Sequence, residues 1–427
     1  MRLLYAFTLS NVYSNICINQ LYGNDKPMPN VLDNIVRFHA AIINDTPLSF
    51  TRYLYDNIDF NERLIGIVGQ RGVGKSTLML QYLKKNFANP EEGIYISLDN
   101  PIAANIDLTI FAEEFVANNG KLLVLDEVHK YNNFYQHIKS VHDSFKKLKI
   151  IFSGSSELRL KKEGIDLSRR AMIYNMNGLS FREFINLETG SNFAPVTLDD
   201  IIQNHYDISV NITGKIKPLF YLKKYLNYGY YPFYKENESG YLVKLYNVIN
   251  EVLEGDMVIL GLLHPLHIHK IKKLLDILCV SDPFKINIEK LGASAEIDRN
   301  TVYKYIKNLS DSHLIAVLHQ NAKGYGIMTK PEKLYLNNSN LVYALCGGGS
   351  TGTIREIFFV NQVSAVQKVN LHKSGDFLVG NKFVFEVGGK NKDFLQIKNI
   401  ENSFLAIDGI ETGYKRKIPL WLFGFLY

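Results

Sequence analysis

The amino-acid sequence predicts an α/β protein organised on a parallel sheet with helices on both faces. Short apolar runs at 64–68, 93–98, 121–125, 148–153 and 172–176 alternate with helical patterns, and strands alternating with helices make a parallel sheet. The first run opens into a glycine-rich loop followed by a helical pattern, and the third ends on two acids, Asp126 and Glu127. Ligands of such sheets sit beyond the carboxyl ends of the strands. The loop and the acidic pair are therefore expected at one edge.

Leu32, Ile35, Val36, Phe38, Ile42 and Ile43 recur at helical spacing, which predicts a helix over 30–44 ahead of the first strand. The loop after that strand runs Gly69, Gln70, Arg71, Gly72, Val73, Gly74, Lys75, Ser76, Thr77. It fits G-x-x-x-x-G-K-[ST], with Gly69, Gly74, Lys75 and Ser76 in the fixed places. Glycines let the backbone turn tightly and approach a phosphate, and the next helix, expected over 75–87, offers free N–H groups and a positive dipole end. Lys75 can reach the β- and γ-phosphates, and the Ser76 hydroxyl can ligate Mg²⁺. This is a nucleotide-phosphate site.

An apolar strand ending in Asp-Glu beyond such a loop is the Walker B pattern. Asp126 is expected to hold Mg²⁺, through its water, and Glu127 to orient or deprotonate the attacking water. The strand at 148–153 ends in Ser153, followed by Gly154, Ser155 and Ser156. Ser153 is expected near the γ-phosphate, where it could sense or position water. A small-residue turn with a helix cap at Ser155 or Ser156 is the other reading. Arg169 and Arg170 precede the fifth strand; Arg170 is read as a finger toward a neighbouring subunit's nucleotide, against a solvated basic corner.

Leu179, Ser180, Phe181, Arg182, Glu183 and Phe184 complete the series. Loop, acidic pair, Ser-Gly-Ser-Ser, arginine and Leu-Ser-Phe-Arg-Glu-Phe, in this order, resemble a family of prokaryotic AAA+ ATPases with a C-terminal nuclease-like domain. The resemblance covers residues 30–427, and it implies an AAA+ core at 29–190, a helical lid or connector at 191–256 and a winged helix at 257–325. It also implies a restriction-endonuclease-like PD-(D/E)XK domain at 326–427; residues 1–27 carry little pattern while Met28 opens a helix, so 1–28 is read as an N-terminal extension with Met28 as the native start. ATP and Mg²⁺ are the implied cofactors, with duplex DNA or a protein as partner and a homo-oligomer as the assembly.

Beyond 185 the residues give helices at 199–205, 218–226 and 240–255, with a Tyr228 to Pro232 aromatic cluster that reads as core. A short helix at 287–291 and one capped by Asn300 and Thr301, with Val302, Tyr305, Ile306 and Leu309 inward, precede a strand at 314–318 and a wing tip at 321–324. Arg299, Lys304 and Lys307 suit phosphate contacts in a groove; a solvated face serving protein contacts fits as well. Further on, a helix begins at 352, strands at 375–379 and 383–387 pair, Gln396 falls on another helix, and 418–427 reads as a packed strand. By the resemblance, Glu356, Asp376 and Glu386 stand where metal-binding acids belong. Gly388 occupies the place of the expected lysine; the next is Lys390, which a bulge at 388–389 could return to the Glu386 pocket. An active nuclease and a fold kept for binding both remain open.

Composition sets the frame. The 427 residues, 46% apolar and 21% charged, suit a soluble protein of two to four domains, and a net charge of +6 permits nucleic-acid binding without demanding it. Cys17, Cys279 and Cys346 are odd in number and far apart, so neither a disulfide framework nor a C-x-x-C metal site is expected, and the compartment is read as cytoplasmic. The first residues only faintly resemble a signal peptide, and no 18-residue apolar run exists to span a membrane. No Asn-Lys-x-Asp element selects guanine. The reading is an ATP-hydrolysing motor or switch; the alternatives are a nucleotide-gated binding switch with little turnover and a metal-dependent DNA nuclease using Glu356, Asp376 and Glu386.

Overall fold

Residues 31–87, 89–103, 106–154, 167, 169–280, 288–320 and 332–427 are described by the computed structural model. The extension at 1–28, the proposed caps Ser155 and Ser156, Asn287 and the wing tip at 321–324 lie outside these residues.

Helix α1 (Val31–Asp45) precedes strand β1 (Leu64–Val68), the glycine loop and α2 (Lys75–Asn86). Then come β2 (Gly93–Ser97), α3 (Leu108–Ala117), β3 (Leu122–Asp126), α4 (Phe134–Ser144), β4 (Lys149–Gly154) and β5 (Met172–Asn175). The five strands are parallel in the order β2-β3-β4-β1-β5. Side chains alternate faces along a strand, and the core divides accordingly. Ile65, Ile67, Leu122 and Val124 pack with Leu78, Met79 and Leu83 of α2. Leu64, Leu123 and Leu125 pack on the other face with Phe111 of α3 and Phe134 and Ile138 of α4. Gly66 lies centrally in β1, where a Cβ would come within 2.6 Å of Phe152 and 2.5 Å of Ile173.

Helix α5 (Phe181–Thr189) starts with a reciprocal cap between Ser180 and Glu183. Glu183 also holds buried Arg52 (Nε to Oε1, 3.0 Å), and Arg52 donates to the carbonyls of Val73, Asn177 and Gly178. The Leu-Ser-Phe-Arg-Glu-Phe segment thus ties the chain before β1 to the loop and the end of β5. Helices α6 (Leu198–Thr213), α7 (Pro218–Tyr228) and α8 (Tyr241–Asn250) follow. A π-helical turn, Glu251–Asp256, and a short helix, Met257–Ile259, continue α8.

Three helices, α9 (Ile268–Val280), α10 (Ile288–Ala295) and α11 (Arg299–Asp311), then stand beside an antiparallel ribbon, β6 (Ile315–Leu318) with β7 (Lys333–Leu336). Val302, Tyr305, Ile306 and Leu309 of α11 are buried. Its cap is Asp298 rather than Asn300–Thr301, because the Asp298 carboxylate accepts both the Asn300 and Thr301 N–H groups.

After α12 (Ser339–Cys346) and α13 (Thr351–Ser364), a second sheet runs β12 (Lys417–Pro419), β11 (Ser403–Ile407), β10 (Phe383–Gly388), β9 (Phe377–Val379), β8 (Val369–Leu371). Its β8-β9-β10 part is antiparallel and its β10-β11-β12 part parallel. The expected helix at Gln396 is a run of turns. The expected terminal strand ends at Pro419, after which Leu420–Phe425 forms a 3-10 turn that buries Trp421, Phe423 and Phe425. The cysteines also depart from expectation: Cys279 of α9 and Cys346 of α12 are disulfide-bonded, with Cα atoms 6.1 Å apart. Among the described residues no helix is long and apolar enough to cross a membrane.

Candidate nucleotide site

The loop's shape comes from glycine. Gly69, Gly72 and Gly74 take φ of +155°, +81° and +98°, values that suit a residue without a Cβ. Lys75 and Ser76 open α2, with Ser76 half-buried and Thr77 exposed. Buried Lys75 folds back and donates through Nζ to the Gly69 and Gln70 carbonyls, 2.9 Å each. Burial lowers the pKa of this ammonium, while Glu127 and Asp126 pull it up.

Asp126 ends β3 at 2% exposure. It is held on both oxygens, by Tyr95 Oη at 2.7 Å and by the Ser153 hydroxyl. Ser153 lies on β4, between β1 and β3, in register with Ile67. Its Oγ also accepts from the Glu127 N–H at 3.3 Å. Glu127 sits in the left-handed region, φ +52°, which turns its side chain off the strand direction. Burial raises the pKa of its carboxyl; Lys75 and His129 oppose.

Two loop residues expected to serve the ligand also bind the rest of the chain. Gln70 donates to His313 O (2.6 Å) and Asn337 Oδ1 (3.0 Å), and accepts from Tyr231 Oη (2.8 Å). Arg71 pairs with Glu251 at 2.7 Å. Val73 is fully buried. Arg170 makes a two-pronged pair with Asp143 of α4, at 2.9 and 3.0 Å. Sequence reasoning missed Tyr95, Arg52, His129 and Asp256. Only His129 carried a local signal, standing two residues after Glu127.

The C-terminal acids stand near one another, since Glu386 and Glu356 both act on Asp376. Among the described residues no three His, Cys, Asp or Glu side chains form a metal cage. Glu356 is drawn to Lys333 (2.7 Å) and Tyr335 Oη. Asp376 accepts from the Val387 N–H at 2.8 Å, and burial, then Glu386, pushes its pKa up to about 6. Glu386, buried at 1% exposure, is met by Lys392 at 2.5 Å, not by Lys390. A Cβ at Gly388 would fall 2.6 Å from Lys392 Cγ, so the glycine gives the Lys392 stem its path, while Lys390 lies against Gly409.

Comparison with known proteins agrees with the first half of this picture. Residues 61–185 match the family model described as AAA domain, and residues 219–351 match a domain of unknown function (DUF8612). No curated protein sequence matches the chain. Solved structures with similarity include AMPPCP-bound DnaA from Aquifex aeolicus (14% identity, 67% of this chain and 92% of that one, TM-score 0.24). Another is the replication initiator DnaA bound to AMPPCP and single-stranded DNA (14% identity, the same coverages, TM-score 0.25). PCH-2 from C. elegans aligns over 39% of this chain and 48% of its own at 15% identity and a TM-score of 0.22. At those TM-scores the structural likeness adds no argument to the family match. By loop, acidic pair and family match together, residues 61–185 are similar to the AAA domain.

Proposed function

We propose that the chain is a Mg²⁺-dependent ATPase whose turnover drives or switches its C-terminal half. The observation that carries this reading is the meeting of Lys75, Asp126 and Glu127 at one corner, where Glu127 Oε2 is buried without a hydrogen-bond partner. A buried carboxylate oxygen with no hydrogen bond, only an ion pair to His129 at 3.1 Å, is costly and suits a site that awaits polar ligand atoms. Lys75 and the N–H groups from Gly72 to Thr77 would hold phosphate oxygens, Ser76 and Asp126 the metal, and Glu127 the attacking water, whose proton it takes. Bound magnesium would neutralise phosphate charge. Tyr95 and Ser153 keep the Asp126 carboxylate in one orientation.

Lys75→Ala is expected to abolish ATP binding, while Glu127→Gln keeps binding and lowers turnover by at least about 100-fold, the scale of a lost general base. Unimpaired turnover in Glu127→Gln would remove it from this role. The three-helix and ribbon unit has the make-up of a winged helix, with Arg299, Lys304 and Lys307 on α11 as candidate phosphate contacts. Turnover measured with and without duplex DNA tests that assignment; stimulation supports a DNA partner, and indifference points to a protein.

One observation favours a second activity in the C-terminal sheet. Lys392 reaches Glu386 from outside the expected spacing, so the missing lysine has a substitute beside Asp376. A cleft of about 460 Å³ lined by Lys333, His372, Lys373 and Asp376 opens there. Incubation of DNA with Mg²⁺ or Mn²⁺ tests a metal-dependent nuclease, with Asp376→Ala as control; absence of metal-dependent cleavage sinks it.

A further inference from the structure

The nucleotide corner contains three buried polar atoms without a hydrogen-bond partner: Arg71 Nη1, Glu127 Oε2 and Asp256 Oδ2. The first two belong to the loop and strand end. The third belongs to the π-helical turn Glu251–Asp256, more than a hundred residues along the chain. π-turns are rare and recur at functional sites.

The turn's geometry explains its reach. In an α-helix residues five apart point roughly 140° away from one another; the wider i→i+5 turn reduces that angle. Glu251 and Asp256 are five apart, and both face the site. Glu251 pairs with Arg71 of the loop at 2.7 Å. Asp256 Oδ1 stands 3.5 Å from His129 Nε2 and 3.5 Å from Lys130 Nζ. On its other side the same imidazole puts Nδ1 3.1 Å from Glu127 Oε2, close enough for ion pairing but too poorly aligned for a hydrogen bond. Asp256 and His129 are buried, at 6% and 8% exposure, so packing limits both.

We propose that Asp256 and His129 are positioning residues that set the orientation of the Glu127 carboxylate, and that the π-turn thereby couples ATP turnover to the three-helix unit. The route onward is short. Leu262, just past the turn, accepts at its carbonyl from Asn308 Nδ2 of α11 at 2.8 Å, so a shift of α11 reaches Asp256 through a few residues of chain.

This inference rests on the ATPase reading, and the test separates the two. Steady-state ATP turnover and equilibrium binding of a fluorescent ATP analogue are measured on the full chain, for wild type, Asp256→Asn, His129→Gln, Glu127→Gln and the Glu127→Gln/Asp256→Asn double variant. A positioning role lowers kcat in Asp256→Asn and His129→Gln by about tenfold or more while KM and analogue binding stay within about threefold. The double variant then turns over no more slowly than Glu127→Gln alone, because both changes act on one group. Retained analogue binding reports a folded site; where Asp256→Asn loses it, His129→Gln gives the same readout. A kcat within twofold of wild type in the folded variants, or losses that multiply in the double variant, would overturn this inference and leave the ATPase reading standing. No turnover by wild type would overturn both.

Discussion

A carboxyl group enclosed with other carboxyls keeps its proton to higher pH, and Asp376 is such a group, at about 6 in the folded chain. Its folded pKa lies above its ordinary value of 3.8, so between those values the folded state binds more protons than the unfolded one. Stability then falls as pH rises through this window, and the cost is fully present above about 6. Asp376→Asn should raise the thermal midpoint at pH 7.5 and leave it unchanged near pH 3.5, once the acid has taken its proton. Equal shifts at both pH values would show that the carboxylate's charge is not the cause. The residue scale is also where sequence reading is thinnest. Gln70 could be named as part of a phosphate loop, yet its amide binds His313, Asn337 and Tyr231, and no spacing in the chain reports that.

Among the elements, α5 shows how one short segment serves several parts of the fold. Ser180 accepts from the Glu183 N–H at 3.1 Å while its hydroxyl donates to Tyr427 O at 2.6 Å, and Arg182 donates to the same carbonyl at 2.8 Å. Ser180→Ala removes both the cap and the tie, each worth about 1 kcal/mol. The expected loss of about 2 kcal/mol should appear as a lower denaturant midpoint at unchanged slope. An unchanged midpoint would mean that the reciprocal cap is not contributing. The helix start itself was legible, because Ser followed three residues later by Glu is a local signal. Its second use was not, since Tyr427 lies 247 residues away from Ser180. Much the same holds for Lys392: strand alternation pointed to position 388 or 390, and only the course of the chain after β10 brings residue 392 back to Glu386.

On the scale of the whole molecule, one hydrophobic core runs from Leu54 beside the loop, through the helices after α5, to Leu426. The parts named from sequence are therefore packed into one another rather than strung on linkers, and the Cys279–Cys346 bond joins α9 to α12 within that mass. Thiol labelling of the denatured chain tests the bond. Without reductant one of the three cysteines should take maleimide, and after reduction all three; three labelled thiols without reductant would show that the pair is open. This joint packing also explains why the loop touches so much of the chain. Gln70, Arg71 and His129 each join the loop or the acidic strand end to a later part of the chain.

What the sequence determined by itself was the phosphate loop, the acidic strand end and the order of the first five strands and their helices. Each is encoded in consecutive residues, whose backbone angles, alternation and N–H groups act within a few positions of one another. What only the tertiary structure decided was who stands beside them: Tyr95 and Ser153 on Asp126, Lys392 on Glu386, and Asp256 behind His129 and Glu127. Those partners are fixed by how separate elements pack, and for Asp256 by the π-helical turn that carries it. No hydrophobic period or short motif carries that information, because the contacts join residues that are near only after the chain has closed its core.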